Sequence, residues 1–210
     1  MPALLEPPMR QRARPSFAAE LAPPMPTMRT VWRAQTLEEF EQIPEGVKAE
    51  LIDGVIYIMT TPIPRHAWIT NEIYAQIVLF LRGRQDYAAF PGTLEVKLGE
   101  NVFVPDIMVV PTREGFDRRR YHAAPVFIVE VLSPSTEKID AIRKRAAYGE
   151  AGVREYWIVD GDAPTVTVCL FTGGKEVSAA EYASGKIAAA ALDGLTVDLA
   201  GVFNPPWENE

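Results

Sequence analysis

Two short apolar runs each carry one carboxylate: Val102-Phe103-Val104-Pro105-Asp106-Ile107-Met108-Val109-Val110 and Val126-Phe127-Ile128-Val129-Glu130-Val131-Leu132. Runs this apolar and this short predict strands covered on both faces, so the chain must fold around a sheet with layers packed on either side. A charge alone inside such a strand costs several kcal/mol, about the margin by which a whole domain is stable, unless a partner compensates it. Two acids buried side by side also repel, and raise each other's pKa, unless a cation sits between them. The simplest compensating partner is a divalent metal ion. If repulsion is all that the pair feels, Asp106→Asn should stabilise the metal-free protein.

The flanking segments say what kind of sheet this is. Thr36-Leu37-Glu38-Glu39 has the spacing of a capping box, and Pro44 with Gly46 ends the short helix it starts. Asp53-Gly54 stands between the β-rich runs 49–52 and 55–59, the strongest short-range hairpin signal, because the tight turn needs positive φ. From His66 to Arg84 the period becomes helical, with Ile69, Ile73, Ile77, Phe80 and Leu81 on one stripe and Gly83 as the stop. Short strands follow near 87–90 and 93–98, then the Asp106 and Glu130 strands. Ser133-Pro134 opens a second helix to about Tyr148, with Gly149 or Gly152 past its end. Arg154–Asp160 and Thr165–Phe171 read as strands about a Gly161-Asp162-Ala163-Pro164 turn, with a weaker strand at Leu195–Leu199. The order predicts an α/β fold, a mixed sheet with helices on its faces.

Residues 1–29 hold seven of the 18 prolines and four arginines with little apolar periodicity, so they read as an extension without a fold of its own. Residues 30–210 then form a single domain, within the usual range of about 100–200 residues. No run of about 18 apolar residues occurs, so no membrane span is expected. The single cysteine, Cys169, excludes an internal disulfide and fits a reducing cytoplasm. A net charge of −7 argues against a protein that coats nucleic acid over its whole surface, but not against a nuclease whose carboxylates await metal. Basic residues do cluster locally, as Arg113, Arg118, Arg119 and Arg120 in one loop and Arg143, Lys144 and Arg145 in one helix.

Consecutive strands are usually neighbours, at about 4.8 Å, so inward carboxylates of Asp106 and Glu130 can share one ion. All-oxygen ligation without a Cys or His cluster suits magnesium or manganese, and the Val131 carbonyl can add a further hard oxygen. Such an ion acidifies bound water and stabilises charge on a phosphoryl oxygen, and a nearby ammonium can orient that water. Lys144 is the candidate ammonium: Asp140, Lys144 and Tyr148 repeat at i+4 on a polar stripe that faces either the metal or water. Glu50 is either a further ligand or a charge at the hairpin edge. His66, just after Pro64, is either a helix-start residue or a ligand.

Pro105-Asp106 followed by Glu130-Val131-Leu132 resembles the PD…(D/E)xK pattern of the restriction-endonuclease-like superfamily, with leucine where the lysine belongs. Together with Glu50-Leu51-Ile52-Asp53-Gly54, Ser133-Pro134-Ser135-Thr136, Lys144, Tyr148 and Gly152-Val153-Arg154-Glu155-Tyr156-Trp157-Ile158-Val159-Asp160, it closely resembles the bacterial Uma-two family of endonucleases over residues 36–205. In that family the lysine has moved to the following helix. The resemblance implies a restriction-endonuclease-like mixed central β-sheet flanked by helices, magnesium- or manganese-dependent cleavage of phosphodiesters in nucleic acid (DNA before RNA), and often a homodimer. It implies Asp106, Glu130 and Glu50 as metal ligands and Lys144 as the catalytic ammonium. His66, Arg118, Arg119, Arg120 and Tyr148 become candidates for binding substrate. The alternative is a non-catalytic module that keeps the nuclease fold to bind nucleic acid or protein.

Overall fold

The computed structural model describes residues 35–133 and 139–208. The N-terminal extension and the start of the second helix at Pro134 lie outside the described residues. Helix α1 (Leu37–Glu41) opens on the expected capping box, with Thr36 Oγ1 accepting from Glu39 N–H and the Glu39 carboxylate accepting from Thr36 N–H. The hairpin of β1 (Ala49–Ile52) and β2 (Val55–Ile58) turns at Asp53 and Gly54, whose φ angles of 50° and 71° are what a two-residue turn demands. Helix α2 (Pro64–Leu81) follows, then β3 (Tyr87–Pro91), β4 (Glu95–Leu98), β5 (Asn101–Phe103), β6 (Ile107–Pro111), β7 (Arg120–Tyr121) and β8 (Phe127–Val131).

The Asp106 run is therefore not one strand. It breaks at Val104-Pro105-Asp106, and the halves join different sheets: β5 lies in a five-stranded sheet ordered β2-β1-β5-β4-β7. Strand β6 belongs to a six-stranded sheet that runs β3, β6, β8, then β9 (Glu155–Asp160), β10 (Thr165–Thr172) and β11 (Lys175–Tyr182). Proline has no N–H for a ladder, which makes Pro105 a natural place for the chain to change sheets. A π-helical turn (Ile139–Lys144) leads into α3 (Arg145–Ala151), which stops at Gly152 in the left-handed region, φ 98°. A two-stranded ribbon, β12 (Lys186–Ala188) and β13 (Thr196–Asp198), completes the set.

Strand alternation divides the interior into two main cores. Strand β6 sends Ile107 and Val109 into one and Met108 and Val110 into the other, while β8 sends Phe127, Val129 and Val131 to the first and Ile128 to the second. The first core is closed by Ile69, Ile73, Ile77 and Leu81 of α2, the stripe read in the sequence, and by residues 187–203. The second lies against Ile52, Val96 and Phe103 of the five-stranded sheet and Tyr148 of α3. The sheet is thus flanked by helices, as the fold class requires. No helix among the described residues is long and apolar enough to cross a membrane.

Candidate active site

Strands β6 and β8 are antiparallel neighbours, with Ile107 opposite Val129. One step beyond that register, Asp106 and Glu130 grip each other's backbones: Asp106 N–H donates to Glu130 Oε2 at 3.2 Å, and Val131 N–H donates to Asp106 Oδ2 at 2.9 Å. Glu130 shares the alternation of Ile128, on the side of the second core, whereas Asp106 stands just before β6 and meets His66 of α2. Glu50 arrives from the other sheet. It sits in β1, buried, and its Oε1 accepts the N–H of Val104 in the peptide that crosses between the sheets, at 2.8 Å. The three acids meet where the chain changes sheets.

The cation between buried acids is a lysine. Lys144 Nζ lies 3.0 Å from Glu50 Oε1 and 3.0 Å from Glu130 Oε1, with all three side chains at most 4% exposed. The ammonium joins Glu50 to Glu130, and of the two orientations open to the polar stripe, Lys144 and Tyr148 face the acids rather than water. Tyr148 OH also donates to Glu130 Oε1, at 2.8 Å. Burial, followed by the charges of Glu130 and Glu50, holds the Tyr148 phenol well above its usual pKa, so it stays a donor. The side chain of Asp140 lies outside what is described.

His66, in the first turn of α2, puts Nε2 3.1 Å from Asp106 Oδ2. Burial disfavours the charged ring, but its hydrogen bond to Asp106, the Asp106 charge and the Val131 backbone outweigh that and raise its pKa. Burial likewise pushes the Asp106 carboxyl up, and His66, Val131 N–H and the Lys144 charge bring it below the ordinary value. His66 Nδ1 is buried without a hydrogen-bond partner among the described residues.

The arginine loop divides. Arg120 is buried, forking onto Glu95 Oε2 at 2.6–2.8 Å and reaching Glu41 at 2.5 Å, and Arg119 pairs with the same two acids. Their charges are neutralised within the protein, which favours a structural role over contact with substrate. Arg118 is exposed and makes no ion pair among the described residues. Sequence reasoning passed over Lys48, two residues before Glu50; its signal was the two-residue alternation it shares with that acid. It also gave no role to Glu155, a fully buried carboxylate that accepts from Trp157 Nε1 at 2.7 Å and Ala191 N–H at 2.6 Å, fastening residues 189–192 to β9.

Among the described residues no three His, Cys, Asp or Glu side chains converge as a ready-made metal cage. The donor chemistry nonetheless fits a hard cation. Glu50, Asp106 and Glu130 set three carboxylates against one permanent charge, and Asp106 Oδ1, on the most exposed of the three acids, makes no hydrogen bond among the described residues.

The model of the Uma2 family, described as "Putative restriction endonuclease", matches residues 37–200. No curated protein matches the chain. Among solved structures, one described as a putative nuclease from Anabaena variabilis aligns with a TM-score of 0.66 over 80% of this chain and 97% of that one. At 23% identity, that likeness shows a common fold.

Proposed function

The chain belongs to the Uma2 family, and we propose from this that it is a metal-dependent endonuclease hydrolysing phosphodiester bonds of nucleic acid, DNA in preference to RNA. The family's description as restriction endonucleases supports DNA as the polymer. The observation that carries the reading is Lys144 Nζ at 3.0 Å from both Glu50 and Glu130, with Asp106 alongside. Leu132 occupies the usual lysine position, and the ammonium reaches the acids from the following helix instead.

In this reading Asp106 and Glu130 hold a magnesium or manganese ion, with Glu50 as auxiliary ligand. When bound, the ion supplies positive charge to the phosphoryl oxygens and acidifies the attacking water. Lys144 pairs with Glu130 and contributes an ammonium to the field in which negative charge develops. Tyr148 fixes the Glu130 carboxylate and His66 the Asp106 carboxylate, so neither oxygen set has to reorganise during the reaction. Arg118, exposed on its loop, steers the polymer. A homodimer in a bacterial cytoplasm belongs to the same reading.

Purified protein should cut DNA with magnesium or manganese and not with EDTA. Asp106→Asn, whose amide oxygen can still accept from Val131 N–H, should lower the rate at least about 100-fold while the protein remains folded by circular dichroism, if removing a carboxylate ligand costs as much as losing a transition-state contact. Cleavage at the wild-type rate in both Asp106→Asn and Glu130→Gln would refute the assignment. Binding without cleavage under every metal would mark the non-catalytic module instead.

A further inference from the structure

Two further cations stand at the mouth of the site. Met59 N–H donates to Lys48 O at 2.9 Å, so the β1–β2 pairing continues through residue 48. Lys48 and Glu50 therefore share one face of the hairpin. The Lys48 ammonium lies over Gly92, where a Cβ would stand 3.3 Å from Nζ and 3.8 Å from Asp106 Cα. Gly92 N–H in turn donates to Asp106 O at 2.7 Å. The charge is close enough to oppose protonation of His66. Yet Lys48 is exposed and pairs with no carboxylate among the described residues.

A second cation stands over the same hairpin. Arg143, adjacent to Lys144, is exposed and donates from Nη1 to the hydroxyl of Tyr57 at 3.1 Å. Tyr57 is the residue opposite Glu50 in the ladder. No carboxylate among the described residues pairs with the Arg143 guanidinium. Several other arginines are cancelled within the protein, Arg65 by Glu208, Arg119 and Arg120 by Glu41 and Glu95, and Arg145 by Glu176, whereas Lys48 and Arg143, like Arg118 on its loop, pair with no carboxylate among the described residues. Both cations stand on the solvent side of the site without a carboxylate of their own, where an anion from outside can meet them.

We propose that Lys48 and Arg143 bind the backbone phosphates of nucleic acid at the mouth of the site, drawing the strand onto Asp106 and Glu130. The inference rests on the nuclease reading for the identity of the anion. Lysine acts as a point charge and arginine as a planar fork, both suited to phosphate, and contacts to phosphate carry no sequence information.

The test is anisotropy of a fluorescein-labelled DNA duplex with calcium in place of magnesium, repeated over a KCl series. Lys48→Gln and Arg143→Gln should each weaken binding and lower the slope of log K against log[KCl] by about one, and the double variant by about two, with melting temperatures unchanged. Lys186→Gln, on the distant β12, should leave the slope as in the wild type. A slope unmoved by the double variant overturns the proposal, as does a wild-type protein that binds no duplex. Metal-dependent cleavage with an unmoved slope refutes the phosphate contacts alone. A moved slope with no cleavage in magnesium or manganese refutes the nuclease reading alone.

Discussion

Replacing Lys144 by methionine removes an ammonium held 3.0 Å from two carboxylates while keeping the volume of its stem. In an effective dielectric of about 20, each contact is worth about 5 kcal/mol of attraction before desolvation is counted. Desolvation of three nearly buried charges offsets much of that, and removing one partner of a buried pair typically costs about 3–5 kcal/mol. The variant also leaves Glu50 and Glu130 facing each other with less compensation. For a domain of this size that cost lowers the melting temperature by roughly 6–20 °C. Thermal and urea denaturation in EDTA, followed by circular dichroism, measure it directly. Adding Glu50→Gln to Lys144→Met should recover part of the loss, because it removes one of the two facing charges. A loss below about 1 kcal/mol, or a double variant no more stable than the single, would mean that the ammonium does not hold these acids together.

Two further outcomes follow from the same geometry. The raised pKa of His66 contributes stability that is complete below its ordinary value of 6.5 and lost as pH rises through the raised one, whereas the lowered Asp106 contributes above 3.8 and is lost on acidification. Urea midpoints should therefore decline above about pH 6.5, and His66→Asn should flatten that decline; an undiminished decline would place the titration elsewhere. Asp106→Asn should melt below the wild type at pH 6 without metal, the reverse of what repulsion alone predicts. At Gly149, inside α3, alanine gains about 1 kcal/mol in helix propensity, but its Cβ would stand 2.5 Å from the buried Phe171 ring. Overpacking should prevail, lowering stability by about 1–3 kcal/mol, and a raised melting temperature would show that the ring yields freely.

What could be read from the sequence was local. The Thr36 capping box, the Asp53-Gly54 turn and the α2 stripe are all encoded within a few residues, and each appears as expected. The pairing of the Asp106 and Glu130 segments also held, because consecutive strands tend to lie together. The sheet change at Pro105 was hidden, since an apolar run does not say which sheet each half joins. The partners of Lys144 were hidden for a similar reason: a polar stripe looks the same whether it meets water or acids from two sheets. The ion pairs of the arginine loop were hidden too, because Glu41 and Glu95, far away in sequence, come together around Arg120 only in the folded chain.

Mounting the amine on a separate helix makes the centre bipartite. The acids are set by the meeting of two sheets, whereas Lys144 and Tyr148 arrive only when the segment after Ile139 seats against them. A chain with its sheets formed and this segment unseated carries the acids without their ammonium. Completion of the centre thereby depends on the docking of one short segment.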